Sequence, residues 1–313
     1  MRLYPVQFYE DGSLEVGMLD YVKDVINDFP EDVGRKSYKT PASSHLFQVR
    51  EDNSDKVLPE EQAVKFHHTV AQLLFLSARA RRDIQTAVAF LTTRVRGPDE
   101  DDWGKLRRVI WYLNGTRRLK LKLTVDSLAV IKWWIDGSHN VHPDCRGHTG
   151  AMMSLGKGAV ASYSRKHKLN TKSSTELEIV SVDQVMPEVC WTYNFLEAQG
   201  YSIDYSEIFQ DNISAQLLEI NGKMSSTKRT KHIKAKFFFV KDKVDLGEVK
   251  ITDCPTEVMW ADVNSKPLQG TLFKVMRDKL MNCGVDYEDS HWADQPAAKK
   301  QAAANKPTSA LNK

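Results

Sequence analysis

Cysteine is scarce in this chain of 313 residues, which has only Cys145, Cys190, Cys254 and Cys283, scattered and without a Cys-x-x-Cys pair. That excludes a disulfide scaffold and is the usage of a reduced, intracellular compartment, cytoplasmic or nuclear. Long apolar runs are missing too: none approaches the ~20 residues that span a bilayer, and the start, MRLYPVQFYEDGSLEV, has no basic stretch ahead of an apolar core. We therefore expect a soluble, non-secreted protein with no membrane partner. Charge of one sign is weak, the formal net charge being +3, so a grip on a polyanion has to come from local clusters of Lys and Arg.

What is present is 41% hydrophobic residues, enough for two globular domains with their own cores. Asp11-Gly12 between LYPVQFY and SLEVGM predicts a hairpin, and MLDYVKDVINDF an amphipathic helix. Pro30 and the polar residues 31–61 then read as a linker or extended arm, with SSHLFQV as a short extended segment. From Gln62 to Leu119 apolar residues recur every three or four positions, predicting three packed helices in AVKFHHTVAQLLFLSARA, RDIQTAVAFLTTRV and DWGKLRRVIWYLNGT, the last stopping at Gly115. Arg79, Arg81, Arg82, Arg94, Arg96, Lys105, Arg107, Arg108, Arg117 and Arg118 make this the basic helical region, either solvated faces or nucleic-acid contacts. The acidic run from Asp99 to Asp102 reads as a solvated loop or a helix start.

After Lys122 come the strands LAVIKWWID, GAMMSLG and GAVASYSRK, then a helix from Ser174 to about Ala198. The strand SEIFQD, the helix NISAQLLEI, a basic loop, a helix from Lys234 to Lys243 and the strand GEVKITDC follow. Three strands and then alternating helix and strand predict a mixed sheet covered by helices. The final QPAAKKQAAANKPTSALNK has the composition of a disordered tail.

Four acids in this second half, Asp136, Glu176, Asp211 and Asp262, each lie next to an apolar, strand-like or helical run. Singly, each has a bland role: a turn residue for Asp136, a capping box with Ser173 for Glu176, and helix N-caps for Asp211 and Asp262. Jointly they could converge as the hard oxygen ligands that two divalent cations need for in-line phosphodiester hydrolysis. A competing pattern lies in HNVHPDCRGH, where His139, His142, Cys145 and His148 recur every third residue and have the chemistry of zinc ligands, though in a Pro-containing loop and without a standard spacing.

The stretches WWIDGS, LNTKSSTELE, QDNISA, KRTKHI and ADVNSKPLQG resemble the ribonuclease H domain of copia-type retrotransposon Pol polyproteins. FHHTVAQLLFLSARARRDIQTAVAFL and DWGKLRRVIWYLNGT are similar to the segment that joins reverse transcriptase to ribonuclease H there, and MLDYVKDVINDF to the end of the polymerase domain. The resemblance implies the end of reverse transcriptase in residues 1–55 and a mostly helical thumb or connection segment in 56–125. It further implies a ribonuclease H-like α/β domain, a mixed five-stranded sheet flanked by helices, in 126–284, ahead of the tail 285–313. It assigns Asp136, Glu176, Asp211 and Asp262 to the metal ligands of an endonuclease cleaving the RNA strand of RNA–DNA hybrids with Mg²⁺, or alternatively Mn²⁺. His232 becomes a proton-transferring or product-releasing group, Lys228, Arg229 and Lys231 phosphate contacts, and Gly137, Ser138 and Asn212 contacts to ribose 2′-hydroxyls. The polymerase signature Tyr-x-Asp-Asp of that family is absent, so the chain is expected to be a truncated frame or fragment of a longer product, without polymerase activity, partnered by an upstream polymerase domain or subunit. Gln210, Trp260 and Ser265 beside the acids also depart from common family residues. The alternatives are a catalytically inactive nucleic-acid-binding remnant and a DNA-cleaving or integrating member of the same fold.

Overall fold

The computed structural model describes residues 5–50, 56–222 and 234–283. It opens with the expected hairpin, β1 (Val6–Phe8) and β2 (Leu14–Val16), turned by Gly12 at φ +77°. Helix α1 (Leu19–Asn27) follows, burying Val22, Val25 and Ile26 on one face. The segment SSHLFQV is not extended: its backbone makes successive turns, Leu46 N–H to Ser43 O and Gln48 N–H to His45 O, which tuck Leu46 and Phe47 into the core.

Helices α2 (Glu60–Arg79), α3 (Gln85–Thr92) and α4 (Glu100–Gly115) pack together as the apolar spacing demands, through Phe66, Val70, Leu73, Leu91, Leu106 and Leu113. Full burial of each such side chain stabilises by roughly 1.5–3 kcal/mol relative to exposure. The acidic run is a helix start, with Glu100 exposed and its two outer members buried. Asp99 is the N-cap of α4, Asp102 completes a capping box with it, and both are buried against Arg94.

Much of the basic region turns inward as well. Arg81 is 1% exposed and grips Asp83 with two hydrogen bonds, Arg82 donates to Val160 O, Arg107 pairs with Glu31, and Arg108 donates to Thr40. These arginines are structural ties rather than solvated faces or a nucleic-acid surface, because short acidic or carbonyl partners lie within their reach.

Strand β3 (Leu121–Val125) joins β2, and the chain then builds β4 (Val130–Ser138), β5 (His148–Ser154), β6 (Gly156–Lys157) and β7 (Ala161–Lys166). Helix α5 (Ser174–Ala198), β8 (Tyr205–Gln210), α6 (Ile213–Asn221), α7 (Lys234–Asp245) and β9 (Val249–Asp253) follow. The principal sheet is mixed and five-stranded in the order β7-β5-β4-β8-β9, antiparallel across the first three strands and parallel across the last three. That is the ribonuclease H-like arrangement expected from the sequence. Ile131, Trp133 and Ile135 of β4 form its core with Val182, Val185, Met186 and Val189 of α5.

The short α8 (Asp262–Ser265) and α9 (Gly270–Met281) complete the fold. Helix α8 lies on the other face of the sheet, between β5 and α3, where Thr86 Oγ1 donates to Val263 O at 2.6 Å. Helix α9 returns to the first core through Phe273, Met276 and Leu280, so the N-terminal helices support the element that carries Asp262. Among the described residues no helix is long and apolar enough to cross a membrane, and no disulfide forms.

Candidate metal centre

The parallel register of β4 and β8 sets Trp134 opposite Phe209, and two residues further on each chain delivers an aspartate, Asp136 inside β4 and Asp211 just past β8. The C-terminal ends of parallel strands are where an open α/β sheet presents its ligand groups. Side chains alternate along β4, so Ile131, Trp133 and Ile135 meet α5 while Asp136 and Ser138 meet α8. Two glycines permit the close approach. A Cβ on Gly137 would lie 2.7 Å from Ser181 Oγ and 2.9 Å from Leu177 of α5, and one on Gly150, opposite Asp136, would lie 2.5 Å from Ala261 O and 2.6 Å from Ser265 N.

Glu178, near the start of α5, completes the cluster: carboxylate oxygens of Asp136, Glu178 and Asp211 all lie within 4.8 Å of one another. Asp136 is 2% and Glu178 5% exposed, and Glu178 Oε2 is buried with no hydrogen-bond partner. A buried carboxylate oxygen without a proton or a cation is costly by several kcal/mol. The donor set is hard oxygen, close-spaced and short of positive charge, and so fits a divalent cation.

Asp262 opens α8 at the same edge, and Lys266, one turn on, reaches both acids: its Nζ donates to Asp262 Oδ1 at 2.6 Å and to Asp136 Oδ1 at 3.4 Å. Ser265 Oγ donates to Asp136 Oδ2, and Ser138 Oγ donates to Ser265 O at 2.9 Å. Burial, against the pull of Lys266 and with the added repulsion of Asp262, pushes the Asp136 carboxyl up to about 7. Burial and the charges of Asp136 and Asp211 hold Glu178 well above the usual carboxylate range. The Lys266 ammonium is held above its ordinary value because Asp136 and Asp262 outweigh its burial. Behind Glu178, Glu219 of α6 is fully buried with both carboxylate oxygens unpartnered, and burial pushes it up to about 8.

The glutamate expected here from the sequence was Glu176, and the geometry corrects it to Glu178. Glu176 Oε2 accepts from Lys172 N–H at 2.8 Å while Ser173 Oγ accepts from Glu176 N–H at 3.2 Å, so Glu176 closes the entry to α5. Two residues further along a helix the side chain has rotated by about 200°, which carries Glu178 to the acids. The signal was available: STELE holds two glutamates, the capping box accounts for the first, and the second sits in an otherwise apolar run. Lys266 and Glu219 were missed; both read as surface charges without the sheet that covers them.

The other expected contacts divide. Gly137 presses against α5 with its backbone half-exposed, Ser138 is buried on the Ser265 carbonyl, and Asn212 caps α6, accepting from Ala215 N–H at 3.1 Å. Lys228, Arg229, Lys231 and His232 lie outside the described residues. The zinc pattern does not assemble. His142 Nε2 is hydrogen-bonded to His148 Nδ1 at 3.0 Å, His148 Nε2 to Ser164 Oγ at 2.7 Å, and His139 Nε2 to Thr171 O, while Cys145 is exposed. Among the described residues the three acids alone form a metal-competent group.

A mixed five-stranded sheet with this carboxylate cluster at its parallel edge defines a ribonuclease H-like domain. No protein-family model matches the chain. It is similar to the retrovirus-related Pol polyprotein from transposon RE2 of Arabidopsis thaliana, 29% identical over 223 residues, which cover 69% of this chain and 15% of that protein. It is likewise similar to the one from transposon TNT 1-94 of Nicotiana tabacum, 25% identical over 257 residues, 78% of this chain and 18% of that protein. The chain is thus similar to Pol polyproteins of transposons and spans less than a fifth of the length of these two. Ribonuclease H1 from the archaeon Halobacterium salinarum aligns with 44% of this chain and 94% of its own, at 13% identity and a TM-score of 0.33, too slight a likeness to carry an argument.

Proposed function

We propose that this chain is a divalent-metal-dependent endonuclease that cleaves the RNA strand of RNA–DNA hybrids within a retroelement's reverse-transcription apparatus. The observation that carries the reading is the cluster of Asp136, Glu178 and Asp211 with the bare, buried Oε2 of Glu178. The relation to transposon Pol polyproteins supports hybrid as the substrate and a reverse-transcriptase polymerase domain or subunit as the partner. On the same ground residues 1–55 are the end of that polymerase domain and 56–125 its connection to the nuclease, and the place of action is a cytoplasmic particle or the nucleus.

Asp136, Glu178 and Asp211 are the groups to hold the cation, with Asp262 at the same edge. Mg²⁺ suits them, Mn²⁺ being the alternative, because it keeps water ligands and shares the oxygens of a substrate phosphate. When bound, such ions supply a hydroxide nucleophile and stabilise the leaving 3′ oxygen. The protein's part is positioning. Ser265 fixes the Asp136 carboxylate, α5 carries Glu178 against the strand, and half-buried Asp211 forms the side open to a phosphodiester.

The test is cleavage of an RNA–DNA hybrid in Mg²⁺ by the wild type and Asp136→Asn, with duplex DNA and double-stranded RNA alongside. We expect hybrid-selective, metal-dependent cleavage that falls at least about a hundredfold in the variant, the upper end of what even outer ligands cost. Hybrid binding without Asp136-dependent cleavage would overturn the enzyme reading in favour of a non-catalytic remnant. Cleavage directed to duplex DNA would reassign the substrate.

A further inference from the structure

The cation that the acidic site already contains belongs to the chain itself. We propose that Lys266 is a built-in competitor for one of the two divalent-ion positions, so that the site loads its ions in two unequal stages. The proposal rests on the metal-centre reading and deepens it.

Geometry separates the acids into two overlapping sets. Asp136, Glu178 and Asp211 bring their oxygens together without the help of Asp262. Asp262 is joined to Asp136 by the Lys266 ammonium, which stands between the two carboxylates at 2.6 Å and 3.3 Å from their nearest oxygens. A divalent ion on the first set leaves that ammonium where it is. An ion bridging Asp136 and Asp262 has to take its place, because both cations seek the same oxygens and repel one another at this separation.

The position of Lys266 is built rather than incidental. Its backbone N–H bonds to Asp262 O, closing α8, and Asn264 Nδ2 donates to Ala151 O, tying α8 to β5. Pro267 follows, and the proline ring confines the residue before it to extended backbone, here φ −129° and ψ 141°. The root of the side chain is thereby fixed. Its end is not: 37% of the Lys266 side chain is exposed against 2% for Asp136, so the ammonium can swing to solvent without unpacking the core. Among four carboxylates, a divalent ion that displaces the ammonium leaves the edge one positive charge richer, whereas a monovalent ion gains nothing. Substrate phosphate adds negative charge to the same edge and favours that exchange, which makes the second stage respond to substrate.

The test is calorimetric titration of the full chain with Mn²⁺ at fixed pH and ionic strength. The wild type should show a tighter and a weaker stage. In Lys266→Gln the weaker stage should tighten by about tenfold or more, the size of one close charge pair, while Lys266→Arg should keep it weak. If Lys266→Gln does not fold without metal, the charge-balanced double variant Lys266→Gln with Asp262→Asn serves: it should retain the tight stage and lose the weak one. An unchanged or weakened second stage in Lys266→Gln, or an unaltered one in the double variant, overturns the competitor role and leaves the metal centre standing. No Mn²⁺ binding by any of the proteins overturns both.

Discussion

Two buried clusters of charge, one among the N-terminal helices and one at the edge of the principal sheet, are balanced differently. Among the N-terminal helices, Arg81 meets Asp83 through two hydrogen bonds of 2.8 and 2.9 Å, donates to the carbonyl and hydroxyl oxygens of Thr116, and the Tyr112 hydroxyl donates to Asp83 at 2.6 Å. Arg81 faces Asp83, and the buried Arg277 guanidinium adds its positive charge to the same cluster. Burial opposes both charges, yet each is held in its charged form by the other, Asp83 below its ordinary pKa and Arg81 above it. At the sheet's edge Asp136, Glu178, Asp211 and Asp262 face, among the described residues, the Lys266 ammonium; one carboxylate oxygen is bare, and the pKa shifts of Asp136 and Glu178 run upward. The first cluster ties the helices together; the second has the hard, close-spaced oxygens that suit a divalent cation.

The contrast can be broken from either side. The largest stability effect should come from unbalancing the satisfied cluster: Arg81→Met leaves Asp83 buried without its partner and should cost about 3–5 kcal/mol, read from denaturant unfolding. The buried histidines sharpen the comparison in protons. Burial, then nearby Lys166 for His142 and Lys236 for His167, lowers both to about 4, and His148 lies well below its ordinary value through burial and its histidine neighbours. Because the unfolded chain takes up those protons near pH 6.5 and the folded one resists, stability should be whole above that pH. Between there and about pH 4 it should fall by about 1.4 kcal/mol per pH unit for each histidine. The smallest effect should come from Glu176→Gln, which touches only the cap of α5 and should cost about 1 kcal/mol or less, with metal binding intact.

The order of elements was legible because their periodicities are local: the Asp11-Gly12 hairpin, the three N-terminal helices and the alternation in β4 all rest on residues within a few positions of one another. Tertiary partners were not. The basic helical region reads as either solvated faces or nucleic-acid contacts, and the sequence does not show that Asp83, Glu31 and Thr40 engage Arg81, Arg107 and Arg108. SSHLFQV reads as a short extended segment, yet it folds into turns that draw the adjacent Leu46 and Phe47 into one core. In the site, Asp136 and Asp211 followed from strand ends that a parallel register later set side by side, whereas choosing between Glu176 and Glu178 required knowing which face of α5 meets β4. Gly137 records that face in the sequence, since only a residue without a Cβ lets Leu177 and Ser181 come so close.

The most direct measurement is cleavage of an RNA–DNA hybrid in Mg²⁺ by Glu178→Gln and Glu176→Gln side by side, with Mn²⁺ titration of the same two proteins. If the bare oxygen of Glu178 is a ligand, its variant should lose cleavage by at least about a hundredfold and bind the metal correspondingly less well, while Glu176→Gln stays close to the wild type. Equal activity in the two variants, or loss confined to Glu176→Gln, would contradict the site as built from Asp136, Glu178 and Asp211.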